Sequence, residues 1–273
     1  MQKVFRIGQI VPSSNVTMET EIPAMLHRRE AAAPERFTFH SSRMRMRKVV
    51  KEELAAMDAE SERCATELSD ARVDVLGYAC LVAIMSMGHG YHRISEQRLR
   101  QRTIDNGAPA PVVTSAGALI AGLNALGAKR IAVLAPYMKP LTKLVVDYLE
   151  TEGFAVASHV ALEISDNLEV AAHEPMRLVE IYKRLDLKSV DALVLSACVQ
   201  MPSLAAIPIV EAECRIPVVS AATCTTWQML QVLGLDATVP DAGALLSGRY
   251  SKSDQAASHS LKGSSARVPR YTS

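Results

Sequence analysis

No stretch of this chain stays apolar for the roughly 18 residues that a membrane-spanning helix needs. The opening, MQKVFRIGQIVPSSN, runs straight into a strand-like pattern and has neither the long apolar stretch nor the cleavage site of a signal peptide. A cytoplasmic protein is the expectation. Charge imbalance is missing as well: 30 basic against 29 acidic side chains leave a formal net charge of +1. No global field draws in nucleic acid or an anionic membrane, so neither is expected as a partner. The five cysteines (Cys64, Cys80, Cys198, Cys214, Cys224) are odd in number and form no CxxC, which argues against a disulfide framework and for free thiols. His89 and His92 flank Gly90-Tyr91 without a third ligand at useful spacing, so they read as surface or helix-start residues, and no metal is expected. Neither a P-loop nor a GxGxxG follows any strand-like run, so no nucleotide or dinucleotide cofactor is expected.

What remains is an ordinary globular composition, 49% hydrophobic and 22% charged over 273 residues, enough for a sizeable core in one large domain or two small ones. Short apolar runs alternate with helical stretches, the pattern of parallel α/β layers. Strands are predicted at 5–11, 37–44, 73–79 and 111–114, then at 130–135, 154–162, 190–197 and 217–220. Helices are predicted between them, among others over 17–28, 51–71 and 174–187. Three landmarks recur in the same order in the two sets. RIGQIVP, ending at Pro12, matches RIAVLAP, ending at Pro136; VDVLGYAC, ending at Cys80, matches VDALVLSAC, ending at Cys198; PVVTS at 111–115 matches PVVSA at 217–221. The second copy has shorter connections. Duplication follows, and with it one cleft between two similar half-domains, a thiol entering from each side. The Ser-rich, basic stretch 250–273 has no apolar period and is expected to be a disordered tail.

Cys80 and Cys198 fall at the carboxyl ends of their strands, where open parallel sheets bind ligands. A thiol there meets backbone N–H groups and helix dipoles that favour the thiolate, fitting it for nucleophilic or acid/base work. A lone cysteine is more often a small buried hydrophobe; the matched placement of these two is what singles them out. Cys64 and Cys214, inside predicted helices, read as core, while Cys224 opens the helix after strand 217–220. The loops Pro12-Ser13-Ser14-Asn15 and Pro136-Tyr137-Met138-Lys139 offer donors for a carboxylate and for a developing enolate-like oxygen. Ser14 or Asn15 could equally serve as a helix cap. Thr114-Ser115 and the 220–223 segment are further helix starts of that kind. Asn167 also lies at the active edge, though a single loop Asn is more often a turn residue. Arg43, Arg45, Arg47 and Lys48 alternate with Met44 and Met46, as on a solvated strand edge or a subunit contact. From the residues alone either thiol is eligible to attack.

VPSSNVTMETEIPAML, HSSRMRM, VDVLGYACLVAIMSMG, APYMKPLT, DALVLSACVQMPS and IPVVSAATCTTWQML resemble the maleate cis-trans isomerase family of the Asp/Glu racemase superfamily, over about residues 5–248. The resemblance implies two pseudo-symmetric Rossmann-like half-domains, each with a four-stranded, mainly parallel sheet. Residues 1–115 with 222–249 would form the first half-domain and 116–221 the second, the helix from about Ala222 returning to pack on the first. It implies Cys80 as nucleophile and Cys198 as proton donor and acceptor. Asn15, Tyr137 and Asn167 would bind the carboxylates, and Leu81, Val82, Val199 and Gln200 would line the site. It further implies a homodimer acting without a cofactor on a small dicarboxylate, in breakdown of nicotinate-type compounds.

The chemistry expected is addition of the Cys80 thiolate to maleate, rotation about the resulting single bond in a succinyl-cysteine adduct, and elimination to fumarate. A two-cysteine amino-acid or hydantoin racemase of the same superfamily is the nearest alternative. A non-catalytic dicarboxylate-binding protein is the alternative from another class.

Overall fold

The structure, a computed structural model, describes residues 3–250, so the expected tail from Ser251 onward lies outside the described residues. The first half of the chain runs β1 (Val4–Pro12), α1 (Met18–Glu30), β2 (Arg36–Met44), α2 (Lys51–Asp70), β3 (Val75–Tyr78), α3 (Leu81–Ser86), α4 (Tyr91–Asp105), β4 (Val112–Thr114) and α5 (Ser115–Ala125). The second runs β5 (Arg130–Ala135), α6 (Lys139–Thr151), β6 (Ala155–Ala161), α7 (Asn167–Ala171), α8 (Leu178–Ile181), β7 (Ala192–Ser196), α9 (Ile207–Cys214), β8 (Val218–Ser220) and α10 (Ala221–Val232). Two four-stranded sheets result, in the orders β2-β1-β3-β4 and β6-β5-β7-β8, and every pairing is parallel.

The order explains the burial. The central strands β3 (VLGY) and β7 (ALVLS) are buried at every position, as expected of parallel strands covered by helices on both faces. The outer strand β6 is nowhere fully buried. Duplication extends to single bonds. Asp74 accepts from the Arg6 N–H at 2.7 Å at the start of β1, and Asp191 accepts from the Arg130 N–H at 2.7 Å at the start of β5.

α10 follows the last strand and packs against α5, α1 and β3. Two glycines permit that approach: a Cβ on Gly77 of β3 would sit 2.0 Å from Met229 Cε, and one on Gly122 of α5 would sit 2.7 Å from Cys224 Sγ. Cys224 is thereby a packing residue of the α5–α10 contact, buried and with its thiol pushed up by desolvation. The helix expected over 174–187 is a correction. Only Leu178–Ile181 is α-helical, flanked by 3-10 turns at Pro175–Arg177 and Tyr182–Arg184. The Tyr182 hydroxyl is drawn to Glu213 at 2.8 Å, and Leu185 turns into extended backbone to reach the core. No helix among the described residues is long and apolar enough to cross a membrane.

Candidate active site

Both sheets deliver a cysteine to the same height. The Ala79 N–H donates to Ile10 C=O at 3.1 Å and the Ala197 N–H donates to Leu134 C=O at 2.9 Å, so each Ala-Cys pair is pinned to the neighbouring strand by an equivalent bond. VDALVLSAC is one residue longer than VDVLGYAC. A bulge absorbs the difference: Val194 pairs with Val219 and Ser196 with Ser220, leaving Leu195 unpaired. Without it Cys198 would sit out of step with Cys80.

Cys80 has φ +96° and ψ +72°, in the left-handed region that a side chain rarely adopts. A residue held so costs of order 1–3 kcal/mol. The turn brings α3 directly after the sulfur, with the Ala83 N–H facing it. Helix geometry leaves the N–H groups of Leu81 and Val82 without intrahelical partners. Burial pushes the Cys80 thiol up to about 12; the Ala83 N–H opposes the shift, while Cys198 and Asp58 add to it. Its partly accessible surface faces a cavity, and the rest is enclosed by protein.

Cys198 is buried, and burial raises its thiol too, but three donors work the other way: the Tyr137 hydroxyl and the backbone N–H groups of Gln200 and Met201. Ser196 braces the turn, its hydroxyl donating to Cys198 C=O at 2.8 Å.

The two cysteines line one cavity of about 20 Å³, room for about one water and less than a four-carbon diacid requires. Asn15, Tyr137 and Asn167 line it, as do Leu81, Val82, Val199 and Gln200. Asn15 Oδ1 accepts from the N–H groups of Thr17 and Met18, both at 3.0 Å. That caps α1, as one of the two expected readings had it, and leaves the amide NH2 to face the cavity. Asn167 donates to the Ser14 hydroxyl at 2.8 Å. Tyr137 donates to Ala197 C=O at 3.2 Å beside the Cys198 sulfur, and its own phenol is held well above its usual pKa by burial and the two thiols. Gln200 spans the halves, accepting from Val16 N–H at 2.9 Å and donating to Ser14 C=O at 2.9 Å and Asn167 C=O at 2.8 Å.

None of the lining residues carries a charge. The site therefore offers an anion only neutral donors: amides, a phenol, thiols and backbone N–H groups. Residues that could hold a metal do not cluster anywhere among those described.

Pro12, expected only as the start of a donor loop, Met46, expected only on a strand edge, and Val49, for which no role was expected, also line the cavity. Arg43 is exposed, as the alternation predicts, and its guanidinium also donates to Ser13 C=O at 3.2 Å and to Asn15 C=O, with Glu19 as counter-ion, so it ties down the loop bearing Asn15. Arg45, Arg47 and Lys48 are exposed, and Met44 and Met46 buried, as the alternation predicts. Thr114 and Ser220 are buried caps of α5 and α10 that do not line the cavity. His92 sits at the start of α4, one of the two expected placements, and is buried there, its ring nitrogen 2.6 Å from the Tyr148 hydroxyl.

The sequence profile of the arylmalonate decarboxylase family matches residues 7–246. The maleate isomerase of Pseudomonas putida KT2440 is 67% identical over 92% of this chain and its own full length. A variant of the maleate isomerase from Pseudomonas putida S16, crystallised with maleate, superposes with TM-score 0.90 at 67% identity, covering 91% of this chain and 99% of its own. A mutant of the Nocardia farcinica maleate cis-trans isomerase, which carries a covalently bound succinylcysteine intermediate, superposes with TM-score 0.86 at 49% identity, covering 89% of this chain and 98% of its own.

Proposed function

The chain belongs to the arylmalonate decarboxylase family and, within it, to the maleate isomerases, and from that premise we propose that it converts maleate to fumarate by covalent catalysis at Cys80, without a cofactor. The observation that carries this reading is that two thiols from matching positions of two halves line one small, uncharged cavity. The Cys80 thiolate adds to one alkene carbon, and the π electrons move into the far carboxylate as an enediolate-like anion. Neutral donors from Asn15, Asn167, Tyr137 and the N–H groups after each cysteine stabilise that charge, each worth roughly 3 kcal/mol where it is well aimed. Cys198 gives its proton to the neighbouring carbon, leaving succinyl-Cys80 with a single bond free to rotate. Cys198 then takes that proton back and the Cys80 sulfur leaves as thiolate, releasing fumarate. No electrons are gained or lost overall, so no redox partner is required.

The amino-acid racemase alternative finds less support, because no acidic side chain lines the cavity to meet a substrate ammonium. A mere binder has no use for a cysteine held at φ +96°. The reading extends to a homodimer, which gel filtration and light scattering test, and to a cytoplasmic location, which cell fractionation tests. The decisive experiment incubates the protein with maleate alone and follows fumarate by proton NMR, together with a succinyl mass increment on the peptide containing Cys80. Turnover with no increment on that peptide in any variant overturns the mechanism, and absence of turnover overturns the function.

A further inference from the structure

A buried carboxylate from the first half holds the loop that serves Cys198 in the second. Glu21 lies in α1, one helical turn beyond Thr17, and its Oε1 accepts from the backbone N–H groups of Ser203 at 2.6 Å and Leu204 at 2.7 Å. Thr17 works on the near end of the same loop, its hydroxyl donating to Gln200 C=O at 2.7 Å. Spacing of four residues puts both side chains on one face of the helix. The Gln200 carbonyl shares its peptide unit with the Met201 N–H, which faces the Cys198 sulfur together with the Gln200 N–H. α1 thus holds the segment that follows Cys198 at Gln200 and again at Ser203 and Leu204.

We infer that Glu21 is a positioning residue for Cys198: by anchoring the Ser203–Leu204 turn it keeps the Gln200 and Met201 N–H groups aimed at the sulfur that donates and reclaims the substrate proton. Burying a carboxylate is costly unless it is well bonded, and burial does push Glu21 up against the pull of these two N–H groups. An uncharged side chain would close the same space at lower cost. What the carboxylate adds is a charge-assisted grip on two donors at once. Its partners lie 182 and 183 positions along the chain, so the bond also crosses from one half to the other.

This inference rests on the mechanism proposed above and is tested beside it, in the full chain, with Glu21→Gln and Glu21→Ala. The Gln oxygen still accepts both N–H groups, and its NH2 can donate to the Ser203 hydroxyl, which also pulls on the carboxylate of the parent. Glu21→Ala is expected to lower kcat roughly tenfold or more while KM changes little, since a charge-assisted pair of bonds is lost. Succinyl-Cys80 should accumulate during its turnover, because a misaimed Cys198 reclaims the proton slowly. Glu21→Gln should keep kcat within about threefold of the parent, with no adduct building up. Unchanged kcat in Glu21→Ala, a loss of kcat without adduct, or an equal loss in Glu21→Gln overturns the assignment. Should Glu21→Ala fail to fold, Glu21→Asp takes its place: the shortened side chain withdraws the acceptor, so adduct is expected in Asp and not in Gln. Cys198→Ser separates the two claims. No adduct on Cys80 in that variant defeats the proposed mechanism, whereas adduct there and parental behaviour in Glu21→Ala defeats only the role of Glu21.

Discussion

The turn at Cys80 and the turn at Cys198 end equivalent strands through equivalent bonds, yet they differ in backbone and in what they offer an anion. Cys80 is held in a left-handed conformation, with the Ala83 N–H facing its sulfur. Cys198 is not among the positive-φ residues, and a phenol and two N–H groups face it. Its loop is further clasped by Thr17 and Glu21 from the opposite half. A thiolate with little support holds its proton tightly but is the stronger nucleophile once formed; one with more support exchanges its proton more readily. The two thiols match in position and differ in surroundings, and under the proposed mechanism that difference suits Cys80 to attack and Cys198 to proton transfer.

The widest separation between the two should come from deleting each. Cys80→Ala is expected to abolish fumarate formation, by roughly a thousandfold or more, because no covalent path remains. Cys198→Ser should instead retain the first addition and trap succinyl-Cys80, since a serine hydroxyl is a poor base for taking the proton back. NMR of the mixture and intact-protein mass spectrometry read both outcomes. Equal behaviour of the two variants would erase the distinction.

The pH dependence sharpens it. With Cys80 pushed up to about 12, iodoacetamide labelling of that residue should climb close to tenfold per pH unit from 7 to 10, with none of the levelling near pH 8.5 expected of an ordinary cysteine. The same shift acts on stability. The folded protein holds the Cys80 proton more tightly than the unfolded chain does, so the advantage is complete below about pH 8.5 and is lost as pH rises toward the folded value. Alkaline unfolding should therefore be milder in Cys80→Ala than in the parent.

Tyr137→Phe addresses one side alone. It removes the hydroxyl beside Cys198 and leaves the ring in place. A loss of roughly tenfold in kcat is expected, the scale of one hydrogen bond to a charged group, with the labelling rate of Cys80 unchanged. A parallel drop in Cys80 labelling would mean that the phenol serves both sulfurs.

Much of this was legible in the sequence, for reasons that can be located. Strand 130–135 is visible because Arg130 and Pro136 bracket a pure apolar run, and Cys80 and Cys198 are visible because the internal repeat places one against the other. The unpaired Leu195 had a signal too, in the extra residue of VDALVLSAC. Glu21 and Arg43 had none. Each bonds to backbone groups far along the chain, 182 positions for Glu21 and Ser203 and 28 for Arg43 and Asn15, and a main-chain N–H or C=O leaves no mark on composition or period. The break-up of 174–187 was hidden for a related reason: the pull on Tyr182 comes from Glu213, in a different element.

The smallest effect expected is conformational and separates the two turns without reference to activity. At φ +96° a Cβ is a liability, so Cys80→Gly should be more stable than Cys80→Ala by about 1 kcal/mol, both variants lacking the sulfur. At Cys198 the order should reverse. With no left-handed conformation to relieve, glycine only adds freedom to the unfolded chain, and Cys198→Gly should be the less stable of its pair by about 0.5–1 kcal/mol. Urea unfolding of the four variants at neutral pH measures both differences, and using glycine against alanine at each site cancels the loss of the thiol. Alanine as the more stable of the pair at both positions would mean that the left-handed turn at Cys80 is not strained in solution. The asymmetry between the two cysteines would then rest on their hydrogen-bond donors alone.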